Sequence, residues 1–200
     1  MYIPNHFKFA DNAEMIAFMK QYSFATIITV KDNVPIATQL PFVIDDSSDK
    51  LVLTSHFAMA NEQLKYLEAN SSLIIFSEPH AYISPRYYDK KESVPTWNYI
   101  AVHAYGNAKI VEDEASKIKI LEQMILFYEK EYLQQWKNLS DKFKKGMIRG
   151  ITVFELVVTE LQGQKKLSQN KKQTERNRII EQFEKSNNTT EKDLATYIRK

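Results

Sequence analysis

TWNYIAVHAYGNAKIV, residues 96–111, has the composition of a strand and the length of a long one. In extended backbone successive side chains point to opposite faces. Trp97, Tyr99, Ala101, His103 and Tyr105 therefore share one side, and Asn98, Ile100, Val102 and Ala104 share the other. The second side, small and apolar, is what the core of a barrel needs. The first, aromatic with one histidine, suits stacking on a flat ligand, or equally a subunit interface.

Working outward, β-branched runs at Phe24–Val30, Pro35–Ile44 and Lys50–Thr54 are separated by the turn-prone segments 31–33 and 45–49, which reads as a meander. Ser72–Phe76, Ala81–Ser84 and Ile151–Leu161 read as further strands. Helical periods start at Asp11, which has capping-box spacing to Glu14, and at Asp113, with apolar residues at 118, 121, 125, 128 and 132. Ala58–Ala69 and Ser140–Met147 read as shorter helices. From Thr174 onward two helical patterns flank Ser186-Asn187-Asn188, with Thr190 and Asp193 marking the second start. About six or seven short-connected strands with appended helices predict a mainly β, α+β chain built on a small antiparallel barrel.

Composition excludes several classes. The 200 residues hold four glycines, at 106, 146, 150 and 163, so neither a P-loop nor a Rossmann phosphate loop can be written. Any phosphate must be gripped by side chains or non-glycine turns. With no cysteine there is no disulfide, thiolate zinc site or thiol nucleophile. The four histidines (6, 56, 80 and 103) lack i, i+4 spacing, so no metal is expected. No signal-like start and no run of about 18 apolar residues occur, which reads as a cytoplasmic chain outside the membrane. Net charge is only +2, but Lys165–Lys200 holds ten Lys/Arg against five Asp/Glu, leaving −3 on the first 164 residues. That segment is either a solvated helical face or a contact for phosphate or nucleic acid.

Beyond the aromatic strand, two stretches carry candidate chemistry. TSHFAMANEQ, residues 54–63, runs from a strand end toward a helix start, where free amides and dipole favour an anion. Simple capping by Ser55 is the plainer alternative. KKLSQN, residues 165–170, concentrates donors suited to a ribityl phosphate, or forms an ordinary surface turn.

Taken together, MYIPNHF, SHFAMANEQ, HAYISPRYY, VPTWNYIAVHAYG and KLSQNKKQTER, in this order from Met1 to about Glu184, resemble the PaiB family of FMN-binding negative transcriptional regulators. That family in turn resembles the pyridoxamine-phosphate-oxidase-like split barrels. The resemblance implies a split β-barrel over residues 1–164 and a basic helical segment, 165–200, packed on it. It implies a homodimer holding FMN in the subunit cleft. The cofactor-binding positions it implies are Thr38, Gln39, Ser55, His56, Asn61, Gln63, Tyr82, Ser84, Trp97, Asn98, Tyr99, His103, Lys166, Ser168, Gln169 and Asn170. Two departures stand out: Gln39 where relatives tend to carry His, and Glu62 and Leu64 where they tend to carry Pro and Trp. Glu62 turned inward would set an acid beside the phosphate. The family's role is repression of degradative-enzyme and sporulation genes; if DNA is touched, the basic segment Lys165–Lys200 is the expected contact. The alternative is an FMN-dependent oxidoreductase acting on a small substrate, for which no catalytic residue is assigned.

Overall fold

Three helix starts carry the chemistry that their sequence announces. In the computed structural model, which describes all 200 residues, Asp11 accepts from the Glu14 amide at 2.9 Å before α1, Asn12–Gln21. Asp113 accepts from Ser116 before α3, Glu114–Tyr128. Ser140 does the same for α5, Asp141–Arg149, which follows α4, Tyr132–Asn138. The last helices are α6, Gln173–Glu184, and α7, Thr189–Arg199. Here the cap is Asn188, bonded to the Thr190 amide, and not the expected Thr190–Asp193 pair. An Asn in extended backbone two residues before Thr190 satisfies orphan donors of the first turn.

The remaining expectation, a helix over 58–69, shrinks to the single turn α2, Leu64–Leu67. The reason is local. Asn61 Oδ1 accepts from the Gln63 amide at 2.9 Å, so the backbone here is held in turns. Ser55 accordingly lies inside a strand, with no helix start beside it.

Seven strands form one antiparallel sheet: β1 Phe24–Lys31, β2 Val34–Pro41, β3 Val43–Asp45, β4 Val52–Ala58, β5 Ser72–Ile83, β6 Thr96–Ile110 and β7 Ile151–Lys166. Their order is β2-β1-β5-β6-β7-β4-β3, so the ladder does not close on itself. The fold is α+β. Ser72–Phe76 and Ala81–Ser84 prove to be one strand that carries Pro79 within it, and β7 continues to Lys166, beyond the expected end at Leu161.

The chain divides into two units. The first comprises Met1–Met15, Phe76–His103 and Gln162–Lys200; the second comprises Ile16–Ile75 and Ala104–Leu161. In the second unit the fully buried Phe42, Phe57 and Phe154 pack ring to ring, Phe57 on Phe154 at 5.2 Å. In the first, Ile179 and Phe183 of α6 are buried with Leu194 and Ile198 of α7, and Ile83, Ile100 and Val102 have no exposed surface. Burial of this kind is worth about 1.5–3 kcal/mol per large apolar side chain.

Candidate functional site

The alternation predicted for residues 96–111 is present. Asn98, Ile100, Val102 and Ala104 are buried, while Trp97 is 53% exposed and Tyr99, His103 and Tyr105 are half-buried. β6 therefore turns Trp97 and Asn98 to opposite faces. On the outer face Trp97 lies 6.2 Å from Tyr82, edge to face, and 6.0 Å from His80. Tyr99 Oη donates to Gln164 at 2.9 Å.

On the inner face three motifs distant in sequence converge, all within the first unit. Asn98 Nδ2 donates to Ser168 Oγ at 2.9 Å, and both side chains are buried. Lys166 Nζ donates to Thr96 Oγ1. Lys171 Nζ stands 3.9 Å over the Tyr88 ring and Lys166 Nζ 5.9 Å from the Phe7 ring. Together with Lys90, Glu92, Ser93, Val94 and Asn170, these groups line a cavity of about 440 Å³. Ligand pockets commonly span about 300–1,000 Å³.

What makes the cavity receptive is what its walls leave unmatched. The Tyr88 hydroxyl is buried without a hydrogen-bond partner. Burial pushes its phenol up; the Ser168 hydroxyl lies near enough to act the other way but completes no hydrogen bond with it. None of Lys90, Lys166 and Lys171 belongs to the ion pairs of this structure, whereas the neighbouring Lys165 pairs with Glu14 and Lys172 with Asp89. Ser168 adopts φ 61°, a left-handed conformation unusual for a residue with a side chain. Strain of that kind collects at ligand sites. FMN needs cations and hydroxyls for its phosphate and flat walls for its ring. Lys166, Lys171, Ser168 and the Tyr88 hydroxyl supply the first, Tyr88 and Phe7 the second. The group fits.

The other expected positions behave differently. In the first unit Gln169 closes its own turn, accepting from the Leu167 amide and donating to the Lys165 carbonyl, and Ser84 caps a short turn by accepting from Arg86. In the second unit Gln63, 1% exposed, accepts from Thr38 Oγ1 at 2.7 Å and donates to the carbonyls of Ile27 and Ile36. Asn61 donates to Thr38 Oγ1 at 3.1 Å. Ser55 Oγ donates to the Pro41 carbonyl at 2.7 Å. Burial lowers the His56 pKa, and its Nδ1 is buried without a partner. Gln39 is exposed. Glu62 pairs with Lys31 at 2.7 Å, an exposed contact that lowers its pKa. Tyr88, Lys90, Lys171, Thr96 and Phe7 escaped the sequence reading, although Tyr88 and Lys90 lie in a loop marked by its Lys and Tyr content between Pro85 and Pro95.

Residues 1–160 match the family model described as "Putative FMN-binding domain". The chain is 37% identical to the protease synthase and sporulation protein PAI 2 of Bacillus subtilis, over 98% of this chain and 95% of that one. Among solved structures, the flavocytochrome Anf3 of Azotobacter vinelandii superposes with a TM-score of 0.63 at 18% identity, covering 78% of this chain and 67% of its own. The FAD- and heme-binding protein of Mycobacterium smegmatis gives 0.61 at 11%, covering 78% and 71%. At such identities the likeness shows the fold, a split-barrel arrangement. No helix is long and apolar enough to cross a membrane.

Proposed function

Because this chain belongs to the PaiB family of FMN-binding domains, we propose that it binds FMN, with the phosphate in the lysine-lined cavity, and acts as a regulator of PaiB type. The observation that carries the reading is the cavity itself. There, lysines without carboxylate partners, a buried unpartnered phenol and the Asn98–Ser168 pair surround one space. A phosphate dianion would neutralise Lys166 and Lys171 through charge-assisted hydrogen bonds, which Lys makes to phosphate as a point charge. Trp97 and Tyr82, exposed on the opposite face of β6 and away from the cavity, offer an aromatic surface on which a second copy would dock. The homodimer belongs to the proposal, and sedimentation of the FMN-loaded protein tests it: a monomer throughout the micromolar range would remove it.

DNA contact through Lys165–Lys200 has only net charge in its favour. Within that segment Lys165, Lys172, Arg178 and Arg199 are paired to carboxylates, which argues for a bracing use of these cations. A mobility-shift titration over a salt series separates the two uses. Phosphate contacts would make affinity fall steeply with salt, and a flat response would end the DNA reading.

The cofactor claim is tested by titrating the protein with FMN and, separately, with riboflavin, following flavin fluorescence. Saturable FMN binding that weakens about tenfold in Lys166→Met supports the cavity. No uptake by the unsubstituted protein at micromolar concentration would refute it.

A further inference from the structure

Tyr88 and Lys171 meet in the cavity wall, the ammonium 3.9 Å over the ring, yet neither is held by a hydrogen bond of its own side chain. Their positions are set from behind. Arg178 Nη1 donates to the Tyr87 carbonyl at 2.6 Å, and the same guanidinium donates to the Asp89 carboxylate. Lys172 Nζ reaches that carboxylate at 3.1 Å. The amides of Asp89 and Lys172 both donate to Glu175, at 2.8 and 3.0 Å. Tyr88 is thus gripped on both flanks and Lys171 on one, through residues that do not line the cavity.

The charges make sense of the arrangement. Lys90, Lys166 and Lys171 lie around one space, with Lys172 and Arg178 just outside it, and this concentration of cations would spread the loop and turn apart. Asp89 and Glu175 offset the repulsion without entering the cavity, where Glu92 is the one acid on the wall and forms no ion pair with the three lysines. Glu175 is only 6% exposed, and the backbone N–H of Asp89 holds its carboxyl below the usual range, with Lys172's N–H adding to this.

We propose that Asp89, Glu175 and Arg178 are positioning residues for the cavity: they touch no ligand, and they hold Tyr88 and Lys171 in the geometry that a phosphorylated ligand meets. The identity of that ligand rests on the FMN reading above; the positioning does not. Preset walls raise affinity by removing the cost of ordering them at binding.

The test uses the full chain with Arg178→Met, Arg178→Lys and Asp89→Asn, the last nearly isosteric should the first fold poorly. Amide hydrogen exchange is measured without ligand, and FMN binding by fluorescence titration. Arg178→Met and Asp89→Asn are expected to speed exchange at residues 86–90 and 170–173 while leaving β1 and β2 unchanged. They should weaken FMN by about tenfold, since small misplacements of a site can cost that much or more. The double variant should be little worse than either single, as for members of one network, and Arg178→Lys should recover much of the affinity. Unchanged local exchange in both single variants would overturn the proposal, and so would a uniform increase across the chain. If the unsubstituted protein takes up no FMN, the cofactor reading falls while the exchange data still decide the positioning.

Discussion

Gln63 and Asn98 are both buried amides in a protein of the same fold, and they are used in opposite ways. Gln63 is nearly spent: its oxygen accepts from Thr38, its nitrogen donates to two carbonyls, and its backbone is fixed by Asn61. One lone pair on its oxygen is all that is left, and both donor hydrogens are used. Asn98 meets only the Ser168 hydroxyl, and both line a cavity with lysines around it. An amide has two donor hydrogens and an oxygen with two lone pairs, so Asn98 keeps capacity in reserve. The difference teaches that a polar cluster is a site candidate when its hydrogen-bonding capacity exceeds what the protein itself uses.

The comparison breaks most visibly if charge is removed from the open side. Replacing Lys166 and Lys171 together by Met should weaken FMN about a hundredfold, at about 1.5 kcal/mol per charge-assisted bond. Riboflavin, which has no phosphate, should be unaffected, and paired titrations check this. Gln63→Ala probes the closed side. It strands the Thr38 hydroxyl and two carbonyls and should cost about 3 kcal/mol of stability in urea unfolding, while the folded fraction binds FMN within about twofold of the original. A large loss of FMN affinity in that variant would put Gln63 in the site after all. Asn98→Ala is expected to show the inverse pattern, with about tenfold weaker FMN and about 1 kcal/mol of lost stability.

The smallest effect concerns pH. Burial keeps the His56 imidazole below the ordinary histidine range in the folded chain, so the unfolded chain binds its proton first. Its contribution is complete above about pH 6.5 and declines as pH falls below that and through the folded value. Asp89 and Glu175 are also held low, Asp89 first by its bond from Arg178 and Glu175 first by the Asp89 N–H. Their contribution is present above about pH 4 and is lost as pH falls through their folded values. Unfolding followed across this range should show a shallow decline beginning near pH 6.5, reduced but not abolished in His56→Gln because burial holds His103 low in the same way, and a separate loss at lower pH that His56→Gln leaves in place.

Sequence periodicity carried much of the fold. The alternation from Thr96 to Ala104 located a strand, its buried face and the exposed Trp97, because period-two patterning is a direct consequence of extended backbone. It failed at 58–69, where apolar spacing suggested a helix and side-chain hydrogen bonds from Asn61 and Gln63 took the backbone elsewhere. Local competition of that kind leaves no periodic trace. Within the site, the donor-rich KKLSQN stretch and Asn98 were legible, since their side-chain chemistry is evident in one dimension. Tyr88 and Lys171 were not. Their role comes from the Lys171 ammonium standing 3.9 Å over the Tyr88 ring although the two are 83 positions apart in sequence, a fact of tertiary structure alone. The basic tail was legible as charge but not as use: its arginines and lysines serve carboxylates that lie elsewhere in the sequence, such as Asp89 and Glu14.

The location of the phosphate decides between the open and the closed cluster, and a crystal structure of the FMN complex measures it directly. The account predicts phosphate oxygens within hydrogen-bonding distance of Lys166, Lys171 and Ser168, with Gln63 still bonded to Thr38. Phosphate density on Thr38, Asn61 and Gln63, with the lysine-lined cavity holding only solvent, would contradict it.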